Sequence, residues 1–371
     1  MATVGTIAAY IEELAPLHWA ESWDNVGLQV GDPAAAVQRV LVALELTDAV
    51  MEEAERLGCD LVVVHHPPLF RPLKALRFDS RPARRLLRLI RSGIALYAAH
   101  TNLDQAPGMT NDTLAAAAGL TECEVLKPTG EERYVKLVVF VPKGHEDAVR
   151  DALAGAGAGH IGNYSHCTFQ VPGIGTFLPL EGTNPFIGQQ GRLERVEELR
   201  LETIVPESVA ARAVQAMIAA HPYEEVAYDL YPLANPGTAR GHGRIGRLGQ
   251  PVRLAQLAER LKAALRTPAV RIVGDPDRMV ATVAVGAGAG ADLIRPAAAR
   301  GADVLVTGDV KYHEAQEALD LGLALVDVGH YSSEASAMGA LAAYLRERLA
   351  GDGHSVEVVE SQAGRDPFQF V

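Results

Sequence analysis

The ten residues at 61–70, LVVVHHPPLF, constrain the fold more than any other stretch of the chain. Four apolar residues, three of them β-branched valines, suit a short strand buried on both faces, as in a parallel sheet covered by helices. Pro67 and Pro68 stop that strand, because proline has no N–H to give to a ladder. Side chains alternate between the two faces of a strand, so adjacent His65 and His66 reach one point only where the strand is ending. In open parallel sheets ligands collect outside the carboxyl ends of the strands, which is where this pair stands.

The same pattern recurs on either side. Ile7, Ile11 and Leu14 share a helical face near the start, and residues 22–32 (SWDNVGLQVGD) read as a polar loop that is either a plain turn or the wall of a pocket. Residues 40–46 (VLVALEL) predict a strand, with Thr47 placed to cap a helix over 48–55. Further strands are expected at 60–64 and 94–99, with a basic helical stretch at 81–91 between them. Toward the end of the chain a helix is expected over 254–265, and strands at 270–272, 281–285, 303–307 and 323–327. Strands alternating with helices imply right-handed βαβ units and a parallel-type sheet.

The middle of the chain departs from this near Arg133. A strand at 134–142, a helix at 146–153, a bent hairpin over 167–180 around Pro172-Gly173, a strand at 196–205, a helix at 207–220 and a closing strand at 225–230 give the order βαββαβ. That is the order of a ferredoxin-like unit. The fold class expected is therefore α/β, one discontinuous core domain made from residues 1–130 and 236–371, interrupted by an inserted ferredoxin-like α+β domain at 131–235.

Composition narrows the function. With 371 residues, 48% of them hydrophobic, each unit has enough chain to bury a core. A net charge of −12 gives no electrostatic footprint for nucleic acid or a membrane surface, though a local basic pocket can still hold a phosphorylated small molecule. Cys59, Cys123 and Cys167 are scattered and odd in number, which fits a reducing cytoplasm rather than a disulfide framework. The most apolar window, 280–294, is broken by glycines and by Asp292, so it is not a membrane span.

Three more residues of metal-ligand type follow predicted strands as the histidine pair does. His330 and Glu334 lie four apart just after the strand at 323–327, and share a face if a helix begins there. Glu334 is also in line with Met338, Leu341 and Leu345, and a carboxylate on an apolar stripe needs a cation or a dense set of donors. Asp104 follows the strand at 94–99. Singly, these residues have ordinary explanations: a core histidine, an Asx turn, a helix cap. Together, His65, His66, Asp104, His330 and Glu334 suit two divalent cations of the zinc, manganese or iron type. Two such ions, about 3.5–4 Å apart, commonly share a carboxylate. Glu334 is the expected bridge. His100 and His313, each on a loop beside a ligand-bearing strand end, are candidates for acid/base or supporting roles. The run GAGAGAD at 286–292 fits either a phosphate cradle or close helix–strand packing.

The segments SWDNVGLQVGD, VVVHHPPLF, YAAHTNLD, VTGDVKYHEA and DVGHYSSE, spread over both ends of the chain, make it resemble the GTP cyclohydrolase I type 2 homologues, the NGG-interacting-factor-three-like proteins. The resemblance places that family's metal ligands on the same five residues. It implies two related α/β lobes, two divalent metal cations per subunit with zinc the first choice, and a homohexamer whose metal sites face an internal cavity. It also implies that the insert is CutA/PII-like, with HPYEEVAYDLYPL at 221–233 its closing part. Glu45 stands where many relatives have Asp, and Gly286-Ala287-Gly288 replaces a Cys-Gly-Gly-type turn. The function implied is metal-dependent hydrolysis of a nucleotide-like or phosphorylated small molecule; the alternative is a metal-binding or regulatory scaffold whose insert senses an effector.

Overall fold

The computed structural model describes residues 1–371, which group into two units: residues 1–129 with 240–371, and residues 130–239. The larger unit opens with α1 (Val4–Leu14) and continues through β1 (Gly27–Val30), β2 (Arg39–Ala43), α2 (Asp48–Leu57), β3 (Leu61–Val64), α3 (Arg81–Ser92) and β4 (Ala95–Ala98). Two short helices, α4 (Thr101–Gln105) and α5 (Thr110–Ala117), precede β5 (Leu120–Glu132). The smaller unit follows as β6 (Tyr134–Pro142), α6 (Glu146–Gly155), β7 (Thr168–Phe177), β8 (Glu194–Pro206), α7 (Ala210–Ala220) and β9 (Tyr228–Pro232). The chain returns along β10 (Thr238–Arg253) to α8 (Leu254–Ala264), β11 (Arg271–Val273), β12 (Met279–Val285), α9 (Ile294–Ala299) and β13 (Val304–Thr307). It ends with α10 (Tyr312–Asp320), β14 (Ala324–Asp327), α11 (His330–Gly351) and β15 (Glu357–Glu360).

The first sheet has the order β1-β4-β3-β2-β15, with β15, β2, β3 and β4 parallel and β1 antiparallel at the edge. Its strands are apolar runs because both faces are covered. Leu61 and Val63 point into a core with Ile7 and Ile11 of α1 and Leu341 and Leu345 of α11. Val62 and Val64 point the other way, onto Val50 and Met51 of α2 and Leu86 and Leu89 of α3. Ala43, Val64 and Ala98 stand in register, so the chain leaves β2, β3 and β4 from one rim.

The second sheet has the order β11-β14-β13-β12-β10-β5. Its β12, β13 and β14 are parallel, with β10 and β11 antiparallel to their neighbours β12 and β14. Leu257 and Leu261 of α8 cover one face and Ile294 and Ala297 of α9 the other. The fold is thus mixed α/β with several sheets.

The smaller unit is a four-stranded sheet of order β7-β8-β6-β9, antiparallel throughout. Val149 and Leu153 of α6 and Ala213 and Met217 of α7 pack on Leu137, Val139 and Leu201. The bent hairpin expected over 167–180 is instead one strand, β7, paired with β8 from Thr168↔Thr203 to Phe177↔Glu194. Pro172 is accommodated because β7 is an edge strand, where a missing N–H breaks no ladder on the outer side. Strands β1, β5, β10 and β15 were not expected from the sequence. No helix is long and apolar enough to cross a membrane.

Candidate metal centre

β3 stops at Val64, and the next two N–H groups still reach β2's exit: His65 donates to the Ala43 carbonyl (3.3 Å) and His66 to that of Leu44 (3.0 Å). The prolines then turn the chain away, leaving both rings at the rim. His65 is fully buried, and its Nδ1 lies 2.8 Å from the Ala99 carbonyl oxygen. A carbonyl only accepts, so Nδ1 carries the proton and Nε2 presents its lone pair inward. Asp104 sits on α4 just past β4, and its Oδ1 accepts from the Thr110 hydroxyl at 2.7 Å.

His330 is the first residue of α11. Gly329 ahead of it has φ +83°, a conformation that favours glycine. His330 Nδ1 donates to Asp309 Oδ2 at 2.8 Å, and Asp309 is itself held at φ +58°, a strained position for a non-glycine residue. One turn on, the Glu334 side chain is almost wholly buried.

The Glu334 carboxylate is where the three imidazoles converge. Its Oε2 is 3.1 Å from His66 Nε2 and 3.2 Å from His330 Nε2, while Oε1 is 3.7 Å from His65 Nε2. His65 Nε2 in turn lies 3.6 Å from Asp104 Oδ1, and the His66 and His330 Nε2 atoms are 3.3 Å apart. The structure therefore brings together all five expected ligands as two triads, His65–Asp104–Glu334 and His66–His330–Glu334, with Glu334 common to both.

These residues fit divalent metal. His65 Nε2 and Glu334 Oε2 are buried polar atoms with no hydrogen-bond partner, although leaving such groups unpaired is costly. Two ring nitrogens facing each other across 3.3 Å suit a shared electrophile better than a shared proton. A tetrahedral zinc with bonds of about 2.0–2.1 Å sets its donor atoms roughly 3.3 Å apart.

Without metal the group is strongly polarised. Burial opposes the charge on Glu334, but His330, His65 and His66 outweigh it and hold the carboxyl well below the usual range. Burial likewise disfavours His66⁺, yet Glu334 and Glu45 push it up to about 10. For His330 the Glu334 carboxylate is the largest influence, and the ring is pushed up to about 9.

His100 joins the cluster from the β4 side, within reach of His65 and His66. Its Nδ1 is 2.9 Å from Asp24 Oδ1, and Asp24 Oδ2 accepts from the Thr101 hydroxyl (2.6 Å) and N–H (3.1 Å). Burial resists ionisation of Asp24, but these donors bring it down to about 2. His313 stands apart: it is exposed on α10, its ring edge-on to Tyr312, and it belongs to neither triad.

Three supporting residues escaped the sequence reading. Asp24 lay within the polar loop already suspected of shaping a pocket, and Asp309 followed a strand end, as the ligands do. Gly288 is the third. A Cβ there, at φ +67°, would fall 2.3 Å from Glu334 Oε1. The Gly286 and Gly290 Cβ positions would similarly meet Leu293 at 2.4 Å and Thr307 at 2.5 Å, so the glycine run serves close packing.

Two cavities open on the cluster. One, of about 860 Å³, has His66, His100 and His330 in its wall, with Phe70, Tyr331 and Phe368. Arg271, held by Asp327 and the Val310 carbonyl, is its only Arg or Lys side chain. The other, of about 610 Å³, reaches Asp104 and Glu334 and includes His242 and Lys127.

Comparison with known proteins gives consistent results. The family model described as Duf34/NIF3 (NGG1p interacting factor 3) matches residues 2–367. A protein of Halalkalibacterium halodurans named "GTP cyclohydrolase 1 type 2 homolog" is 47% identical over 366 residues, covering 99% of this chain and 98% of its own length. A Bacillus subtilis protein of the same name is 44% identical over 365 residues, covering 98% of each. Among solved structures, a Bacillus cereus protein related to NIF3 superposes with a TM-score of 0.87 at 46% identity, covering 100% of this chain and 99% of that one.

Proposed function

The chain belongs to the Duf34/NIF3 family, and from that premise we propose that it is a dinuclear metal-dependent hydrolase acting on a nucleotide-like or phosphorylated small molecule. The observation that carries this reading is Glu334, a buried carboxylate on which three imidazoles converge and which belongs to both triads. With Glu334, His65 and Asp104 would hold one ion, and His66 and His330 the other. Zinc suits this mixed nitrogen and oxygen set, with iron or manganese as alternatives. A bound pair of divalent ions supplies Lewis acidity and makes water a nucleophile at neutral pH.

The chain's own residues supply the rest. His100 moves the proton: Asp24 holds its Nδ1, which leaves Nε2 as the exchanging atom beside the two triads. His313, exposed on α10, carries the weaker case for an acid/base role. Phe70, Tyr331 and Phe368 offer flat apolar surface for a purine-sized ring, and Arg271 offers a cation to a phosphate. The name of the relatives supports a GTP-cyclohydrolase-type reaction, in which one water opens the imidazole ring of a purine and a second hydrolyses the resulting formamide to release formate. The test is metal content after chelation and reloading, followed by GTP turnover of wild type against a His65→Ala, His66→Ala double variant. About two ions per chain and turnover confined to the wild type are expected; equal turnover in both would assign the activity to a contaminant.

A second reading is a metal-binding or regulatory scaffold, favoured by the cavity of about 560 Å³ in residues 130–239. Metal uptake without turnover over a broad substrate screen would select it. On either reading the βαββαβ unit is taken as a ferredoxin-like, CutA/PII-like module and the assembly as a homohexamer. Sedimentation of the native protein as a monomer would remove the hexamer.

A further inference from the structure

The smaller unit holds a cavity whose chemistry is unlike that of the metal centre. It measures about 560 Å³, within the range that takes a small molecule. Four aromatic rings, Phe140, Phe177, Phe186 and Tyr223, line it together with leucines, prolines and Ile187. Its charged lining residues are Glu198, Glu224 and Glu225, and no Lys, Arg or His is among them.

Glu198 is the unusual member. It lies on β8 and is only 8% exposed as a residue, although its carboxylate lines the cavity. The Tyr223 hydroxyl donates to Oε1 at 3.0 Å, and Oε2 lies on the Gly175 side. The chain makes room for that second oxygen by having no side chain at Gly175, where a Cβ would come within 2.1 Å of it. One phenol hydroxyl is poor compensation for a buried carboxylate, which ordinarily pairs with a cation. Glu224 is used differently, its Oε1 accepting from the Asn184 N–H at 2.9 Å to tie down the segment that carries Phe186.

We infer that this cavity binds a small organic cation, an amine or quaternary ammonium carrying an apolar group, with Glu198 as counter-ion and Phe140, Phe177, Phe186 and Tyr223 as the cage. Ring faces attract a cation and tolerate its apolar substituents, while the buried carboxylate selects the charge. Anions are excluded by the three glutamates, and a neutral ligand of the same shape leaves the Glu198 charge without a counter-ion. The inference does not depend on what the metal centre does.

Benzylammonium and benzyltrimethylammonium are suitable probes, with benzyl alcohol as the neutral match and benzoate as the anion, titrated calorimetrically into the full-length protein. Both cations should bind at one site per chain, benzyl alcohol more weakly and benzoate not at all. Glu198→Gln should weaken the cations by roughly tenfold or more, the worth of a charge-assisted contact, and leave benzyl alcohol unchanged. Phe186→Ala, on the loop rather than in the sheet, should weaken all three and keeps the test open if Glu198→Gln does not fold. Equal affinity for benzylammonium and benzyl alcohol in the wild type would overturn the inference. So would binding of a lysine-rich peptide where neither small cation binds, since the occupant would then be a side chain of another protein.

Discussion

Glu334 places a carboxylate on the apolar stripe of α11, buried beside Met338, Leu341 and Leu345, and three imidazoles are what make it tolerable there. Glu334→Gln keeps the shape and removes the charge both triads share. Metal content should fall from about two ions per chain to one or none, with the circular dichroism spectrum unchanged; full retention of both ions would refute the bridging role. Gly288→Ala attacks the same oxygen from the backbone side. A left-handed φ costs an L-residue about 1–2 kcal/mol, and the 2.3 Å approach to Oε1 adds to it, so both melting temperature and metal content should drop. The pH dependence follows from the histidines. In metal-free protein His66 at about 10 and His330 at about 9 stand above the ordinary 6.5, so their protonation stabilises the fold. That contribution is complete below about pH 6.5 and is lost as pH rises through 9 to 10. Bound metal needs the neutral rings, so its affinity rises with pH over the same interval. Melting temperature of the metal-free protein should therefore decline from pH 6.5 to 10 while the margin added by metal widens. Parallel pH curves with and without metal would show that these rings are not ligands.

At the scale of elements, what could be read in the sequence was what one local cause determines. Pro67-Pro68 end β3, and the alternation of Leu61 and Val63 against Val62 and Val64 between two cores accounts for the unbroken apolar run. Thr47 sits at the N-cap of α2 with its hydroxyl accepting from the Val50 N–H, so Thr47→Ala should cost about 1 kcal/mol without touching metal content, measurable by chemical denaturation. Of the five ligands, His65 and His66 were legible from the Pro67-Pro68 stop, Asp104 and His330 from following predicted strands, and Glu334 from its place four residues after His330 on an apolar stripe. What was not legible depends on partners far away in sequence. β10 (Thr238–Arg253) is rich in glycine and arginine and has no strand-like alternation, yet Arg244 to Arg247 pair in order with Val285 to Thr282. β15 is four residues long and becomes a strand by lying along β2. Pro172 argued for a bend in β7, and only the knowledge that β7 is at the edge of its sheet removes that argument. The supporting residues Asp24 and Asp309 were hidden for the same reason, since their meaning lies in His100 and His330, 76 and 21 positions away.

At the scale of the whole molecule the question is whether the site needs the residues between its two halves. His65, His66, Asp104 and His100 come from residues 1–129, and His330 and Glu334 from 240–371. Residues 130–239 have their own sheet, their own covering helices and their own apolar core, and supply no member of either triad. The larger unit also brings its cut ends together: the Thr129 hydroxyl lies 3.5 Å from the Arg240 carbonyl oxygen. A short flexible linker replacing residues 130–239 therefore closes a gap that the fold has already closed, at little loop entropy. Such a deletion should fold, take up the same number of metal ions as the full chain, and lose the benzylammonium site. If the core also keeps its turnover, the inserted unit acts on the reaction from outside, as a regulator or an assembly module. If the deleted protein retains its circular dichroism and cooperative melting but no longer binds metal, the two triads depend on the insert and the autonomy argued from their residue origins is wrong.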